Sequence, residues 1–150
     1  AKKKMLDNIS FLNAVSKSEI PSVIANADLL VHSLKRMEVL RFGISANKMF
    51  DYMASAKPII TTIEISNNPV IEAKCGIAVE PENAEALAKA IIEVYDMSEE
   101  KRRELGLNGR RYVEKYHDIR VLADQLETIL GWKSDRRSFV SDEAKESTLI

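Results

Sequence analysis

The strongest constraint on this chain is a rhythm in which short apolar runs alternate with amphipathic stretches as far as about residue 130. The runs Asp28 to Val31 (DLLV), Ile59 to Thr62 (IITT) and Gly76 to Val79 (GIAV) are too short for helices and are bounded by turn or helix signals, so they read as buried strands. Ile9 to Asn13 (ISFLN) is a fourth candidate. Helical patterns lie between them. Ser18 offers an N-cap, Pro21 is tolerated in a first turn, and Ile20, Val23, Ile24 and Ala27 recur at helical spacing. After a polar loop from about Ser33 to Gly43, Ser45 can cap a helix through Ala56, and Lys57-Pro58 opens the next strand. Asn67 to Lys74 predicts a short helix. Strands joined through crossover helices must run parallel. The expected fold class is therefore α/β, a Rossmann-like parallel sheet of about four strands with flanking helices.

Beyond Pro81 the pattern turns helical. Asn83 caps a segment from Ala84 to Tyr95, and Ser98 caps a charged helix with Glu99 and Glu100 in its first turn. Ile119, Leu122, Ala123, Leu126, Ile129 and Leu130 then form an apolar stripe. From Lys133 to Ile150 the pattern stops, with basic and acidic residues mixed and apolar ones scattered. Residues 1–132 are thus expected to form the folded domain and 133–150 a tail, mobile or laid across a neighbouring surface. Four strands are few for a doubly wound sheet, so either further strands escape this pattern or the chain is part of a domain.

Charge and cysteine content remove several functions. The 22 basic residues against 23 acidic ones leave a net charge of −1, so there is no broad basic surface for a nucleic acid. A lone Cys75, with only His32 and His117 to join it, makes no internal disulfide and no multi-cysteine zinc centre. Cys75 is expected to be a core thiol. No apolar run approaches the ~18 residues that span a bilayer, and Ala1-Lys2-Lys3-Lys4 is not followed by the apolar stretch of a signal peptide. The expectation is a soluble, cytoplasmic protein.

The segment from Phe42 to Ala54 (FGISANKMFDYMA) carries the most chemistry. At 100° per residue, Asn47, Lys48, Asp51, Tyr52 and Ser55 share one side of a helix, and Ala46, Met49, Phe50, Met53 and Ala54 the other. Its N-terminus follows a glycine, so free N–H groups at Ser45 to Lys48 are available to an anion, and Lys48 adds a full charge. One turn further in, a carboxylate at Asp51 can accept two hydrogen bonds from adjacent hydroxyls such as a ribose offers. The plainer reading is a surface helix with a Lys48–Asp51 ion pair worth a few tenths of a kcal/mol, and on residue types alone it is preferred.

Longer blocks shift that balance. Asn47 to Ile60 (NKMFDYMASAKPII) resembles the K-(L)-F-(E/D)-Y-M-A-x-G-K-P-I-(V) block of family 4 retaining glycosyltransferases, which have the two-Rossmann-domain GT-B architecture. Ser18 to Val31 is similar to the helix that leads to that family's A-D strand. Asn68-Pro69-Val70-Ile71-Glu72 and Gly76 to Pro81 resemble its P-E-(I/V)…G-x-x-V-x-P block. Glu82 to Ile92 and Leu105 to Arg110 resemble its trailing helices. The likeness covers about residues 8 to 130 and is nearest to bacterial enzymes that build surface polysaccharide of the O-antigen and capsule type.

The resemblance implies a donor-binding portion of an enzyme that moves a sugar, hexosyl or N-acetyl-aminosugar, from a nucleoside diphosphate, foremost a UDP-linked one. The acceptor would be lipid-linked or a growing saccharide, held by an N-terminal domain with no counterpart here. It implies retention of configuration, no cofactor and no metal, and work at the inner face of the cell membrane through peripheral association. The implied donor-binding residues are Gly43, Ile44, Ser45, Ala46, Asn47, Lys48 and Asp51; Glu72 is a further donor-binding candidate from its helix start, with a capping or surface role as the alternative, and no residue is assigned as catalytic. In the family two acidic residues stand eight positions apart, the second binding the donor ribose. Asp51 holds the second place, Gly43 stands at the first, and Glu38 lies nearby in the loop. The fragment alone is expected to be inactive. Two alternatives are a sugar-nucleotide epimerase of the same architecture and a non-catalytic α/β binding module. His32, placed at the end of a strand, is expected to be a satisfied loop histidine, with lining the cleft as the alternative, and Lys101-Arg102-Arg103 and Arg110-Arg111 a solvated face rather than a membrane or acceptor contact.

Overall fold

A computed structural model describes residues 8–42, 47–63, 65 and 67–131. The expected tail, residues 133–150, lies outside the described residues. Three strands, β1 (Leu30–His32), β2 (Ile59–Thr61) and β3 (Gly76–Ala78), form a parallel sheet in the order β1-β2-β3. Leu30 pairs with Ile59 and His32 with Thr61, and Thr61 pairs in turn with Ala78. Parallel pairing obliges each connection to cross back over the sheet. The helices α1 (Ile20–Ala25), α2 (Asn47–Ala54) and α3 (Pro69–Glu72) alternate with the strands, and α4 (Ala84–Asp96), α5 (Glu99–Tyr116) and α6 (Ile119–Leu130) follow.

Alternation along the strands sorts the core into two layers. Leu30 and Ile59 pack with Met49 and Met53 of α2, Val70 of α3 and Cys75. Ile60, one residue on, faces the other way and packs with Ala90 and Val94 of α4. Both sheet faces are thereby covered, the arrangement of a Rossmann-like α/β domain. Short side-chain caps set the helix starts. Asn68 accepts the Val70 N–H at 3.0 Å and donates to the Ile63 carbonyl at 3.2 Å. Asn83, Ser98 and Asp118 accept at the starts of α4, α5 and α6.

Three expectations are corrected. Ile9–Asn13 is not a strand: it pairs with no strand among the described residues, and Phe11 and Leu12 stand exposed. An apolar run needs a neighbour to satisfy its backbone before it becomes a strand. The cap of α1 is Glu19, not Ser18, and its side chain makes no cap bond. Its carboxylate accepts the Ser16 N–H at 2.8 Å and the Ser16 hydroxyl at 2.6 Å instead, which lowers its pKa below the ordinary carboxylate value. The loop after β1 is not wholly irregular, since Glu38–Phe42 forms a 3₁₀ turn.

Candidate functional site

The connection from β1 leaves the carboxyl edge of the sheet, so α2 begins at that edge and runs back toward the start of β2. Sites in open α/β sheets form at this edge. The apolar side of α2 behaves as its periodicity predicts. Met49 and Met53 are fully buried, and Phe50 stacks on His117 with ring centroids 4.1 Å apart. Tyr52, expected on the polar side, is instead half-buried against the core, its ring meeting His32 edge-on at 6.2 Å.

Three residues of the polar side of α2 stay open. Asn47, Lys48 and Asp51 are exposed. Among the described residues no ion pair joins Lys48 to Asp51. Gly43, Ile44, Ser45 and Ala46, the expected source of the N–H cradle, lie outside the described residues.

Asp51 borders a cleft of about 450 Å³ between α1, α2 and α5. Ile20, Pro21 and Ile24 give it an apolar wall, and Lys17, Ser55 and Arg110 add polar groups. Arg110 is held at the rim, because its guanidinium donates to the Ala54 carbonyl at 2.9 Å and to Glu114 at 2.6 Å. An apolar slot with a carboxylate and a few convergent polar groups suits a flat ring bearing hydroxyls. Sequence reasoning placed Arg110 on a solvated face and did not see the cleft. A helical step locates a residue on its own helix, whereas a cleft depends on which elements meet.

Glu72 is not brought to Asp51. It ends α3 beside α5, where the Tyr112 hydroxyl donates to its carboxylate at 2.7 Å. Burial and this bond push the Tyr112 pKa up to about 12. Glu72 and Tyr112 border a separate cleft of about 250 Å³ with Asn108, Arg111 and Lys115. Two residues apart on α5 is about 200° of turn, so Arg110 and Tyr112 serve opposite flanks of that helix. Glu38 is exposed at the start of the 3₁₀ turn.

The loops after β1 and β3 meet above the end of β2. Arg36 pairs with Glu80 at 3.3 Å, and its backbone N–H donates to Glu82 at 3.4 Å. Beneath them Thr62 accepts the Leu34 N–H at 3.1 Å and donates to the Leu34 carbonyl or the Ser33 hydroxyl, both at 3.2 Å. His32 departs from expectation. It is 8 % exposed, and among the described residues its Nδ1 atom has no hydrogen-bond partner.

Among the described residues no three His, Cys, Asp or Glu side chains converge as a metal site, and no helix is long and apolar enough to cross a membrane. A family model described as "Glycosyl transferases group 1" matches residues 1–112. The searches of curated proteins and of solved structures found no match.

Proposed function

Because the chain belongs to the group 1 glycosyl transferases, we propose that its carboxyl edge binds the nucleoside diphosphate part of a sugar donor, with Lys48 at the diphosphate and Asp51 at the ribose. Glycosyl transfer requires a nucleotide-sugar donor and an acceptor. The observation that carries the donor assignment is the position of Asp51: one turn after the start of α2, exposed, and on the wall of the apolar cleft against α1. In this reading the nucleotide runs along the flank of α2, base against Ile20, Pro21 and Ile24, ribose at Asp51, and phosphates toward the start of α2 at the carboxyl edge.

The chemistry follows from charge. Negative charge grows on the diphosphate as the glycosidic bond breaks, and groups already aimed at it lower the barrier. Lys48 supplies a full positive charge, and the first-turn N–H groups of α2 together with Gly43, Ile44, Ser45, Ala46 and Asn47 supply dipoles in this reading. Asp51 contributes orientation rather than proton transfer. In this reading Glu72 supports the α3–α5 contact and does not touch the donor. The proposal extends to a UDP-linked donor, retention of configuration, and a lipid-linked or saccharide acceptor held by a second domain at the inner face of the cell membrane, in surface polysaccharide synthesis. Family membership favours transfer over epimerisation or a non-catalytic role.

Asp51→Ala in the complete enzyme tests the assignment. Loss of two charge-assisted hydrogen bonds is expected to raise donor KM by about ten- to a hundredfold and to leave acceptor KM unchanged. An unchanged donor KM would overturn the ribose role.

A further inference from the structure

The two strand ends nearest α2 carry an unexplained polar pair. His32 ends β1 and Thr61 ends β2, and they are paired neighbours in the sheet. In parallel strands such neighbours point to the same face, here the face that packs on α2, since Leu30 and Ile59 two residues earlier lie in the core with Met49 and Met53. Thr61 is completely buried and His32 is 8 % exposed. Among the described residues neither Thr61 Oγ1 nor His32 Nδ1 has a hydrogen-bond partner. Native interiors rarely leave one such atom unsatisfied, and two on adjacent positions call for an explanation.

Their surroundings indicate what is needed. Thr62, the next residue, is fully engaged by Ser33 and Leu34, so the edge does not lack partners in general. His32 lies under the first turns of α2, with the Tyr52 ring 6.2 Å away and the Lys48 charge close enough to act on it. Burial, and secondarily Lys48, hold the imidazole below its ordinary pKa, which favours the neutral ring. A neutral Nδ1 can donate or accept, and a threonine hydroxyl can do both. Each can therefore bond to an oxygen atom, and their places on paired strand ends put the two side chains on one face.

We propose that His32 and Thr61 are further donor-binding residues, a hydrogen-bonding floor beneath the start of α2 that is completed by one oxygen of the bound nucleotide sugar, from a phosphate or from a sugar hydroxyl. This rests on the donor-site reading above. Occupancy is then sensed through the histidine ring, and replacement of either residue weakens donor binding without weakening the fold.

Nitrogen-15 spectra of the histidine rings in the 150-residue chain test this, with inorganic pyrophosphate, UDP, GDP and UDP-glucose added in turn. The His32 ring nitrogens are expected to shift at saturation. A response to pyrophosphate or a nucleoside diphosphate identifies a phosphate oxygen, and a response to UDP-glucose alone identifies a sugar hydroxyl. His32→Phe and Thr61→Val, which remove an unsatisfied atom, should unfold at the same urea concentration as the parent or a higher one. Both should bind the responding ligand about three- to tenfold more weakly, and His32→Asn should recover part of the loss. If α2 amides shift while the His32 nitrogens stay still and His32→Phe binds as tightly as the parent, the pair holds only an internal water and the proposal is overturned. If none of the four ligands moves any α2 amide, the donor-site reading fails and the proposal fails with it.

Discussion

Gly106 of α5 lies against the backbone of Ala56, so close that an added Cβ would stand 1.9 Å from the Ala56 carbonyl oxygen. This approach presses α5 onto the turn that ends α2, one helical turn before Arg110 reaches the rim of the Asp51 cleft. Glycine inside a helix costs about 1 kcal/mol relative to alanine, so the residue is retained for the space it leaves. Gly106→Ala is expected to destabilise the chain by at least about 2 kcal/mol, because backbone must move to admit the methyl group. Urea unfolding measures it, and an equal or higher midpoint would contradict the packing.

The other partner in that contact predicts the opposite sign. Ala56 has φ +56°, a left-handed conformation that glycine adopts without a steric penalty. Ala56 also stands where the M-A-x-G-K-P pattern has glycine. Ala56→Gly should stabilise by about 0.5–1 kcal/mol, strain relief outweighing the extra freedom of the unfolded chain. The same urea titration would show a raised midpoint.

Cys75 is fully buried beside Met53 and Gly109, and burial pushes its thiol pKa up to about 12. The reactive species is the thiolate. Labelling by a disulfide reagent at neutral pH should therefore proceed at the rate of unfolding and become fast only in denaturant. Rapid labelling of the native chain would show that the α2–α5 layer opens locally.

The Tyr112–Glu72 bond gives a pH dependence of definite sign. The folded hydroxyl titrates at about 12, above the value of about 10 for a free tyrosine. A raised folded pKa means that the contribution to stability is complete below about pH 10 and is lost as pH rises through about 12. Tyr112→Phe should flatten that part of the stability profile. Phenolate absorbance in the folded chain, followed against pH, reports the same group.

Much of the fold was legible because its signals are local. Asn83 and Ser98 cap helices where their sequence places them, and DLLV, IITT and GIAV sit within two residues of β1, β2 and β3. Ile9–Asn13 misled because strand propensity says nothing about whether a neighbour exists. The polar side of α2 was readable from a 100° step, which is why Lys48 and Asp51 emerged as candidates. Glu72, Arg110 and His32 were not readable in the same way. Which flank of α5 each residue meets, and whether a strand-end histidine finds a partner, are decided by elements far apart in the chain.

The most direct test of the donor site is a titration of the nitrogen-15 labelled chain with UDP and with GDP. The account predicts that amides of Asn47, Lys48 and Asp51 shift together with Ile20 and Ile24 across the cleft, following one dissociation constant that Asp51→Ala weakens. Shifts confined to the Glu72–Tyr112 flank, or a response that Asp51→Ala leaves unchanged, would contradict it.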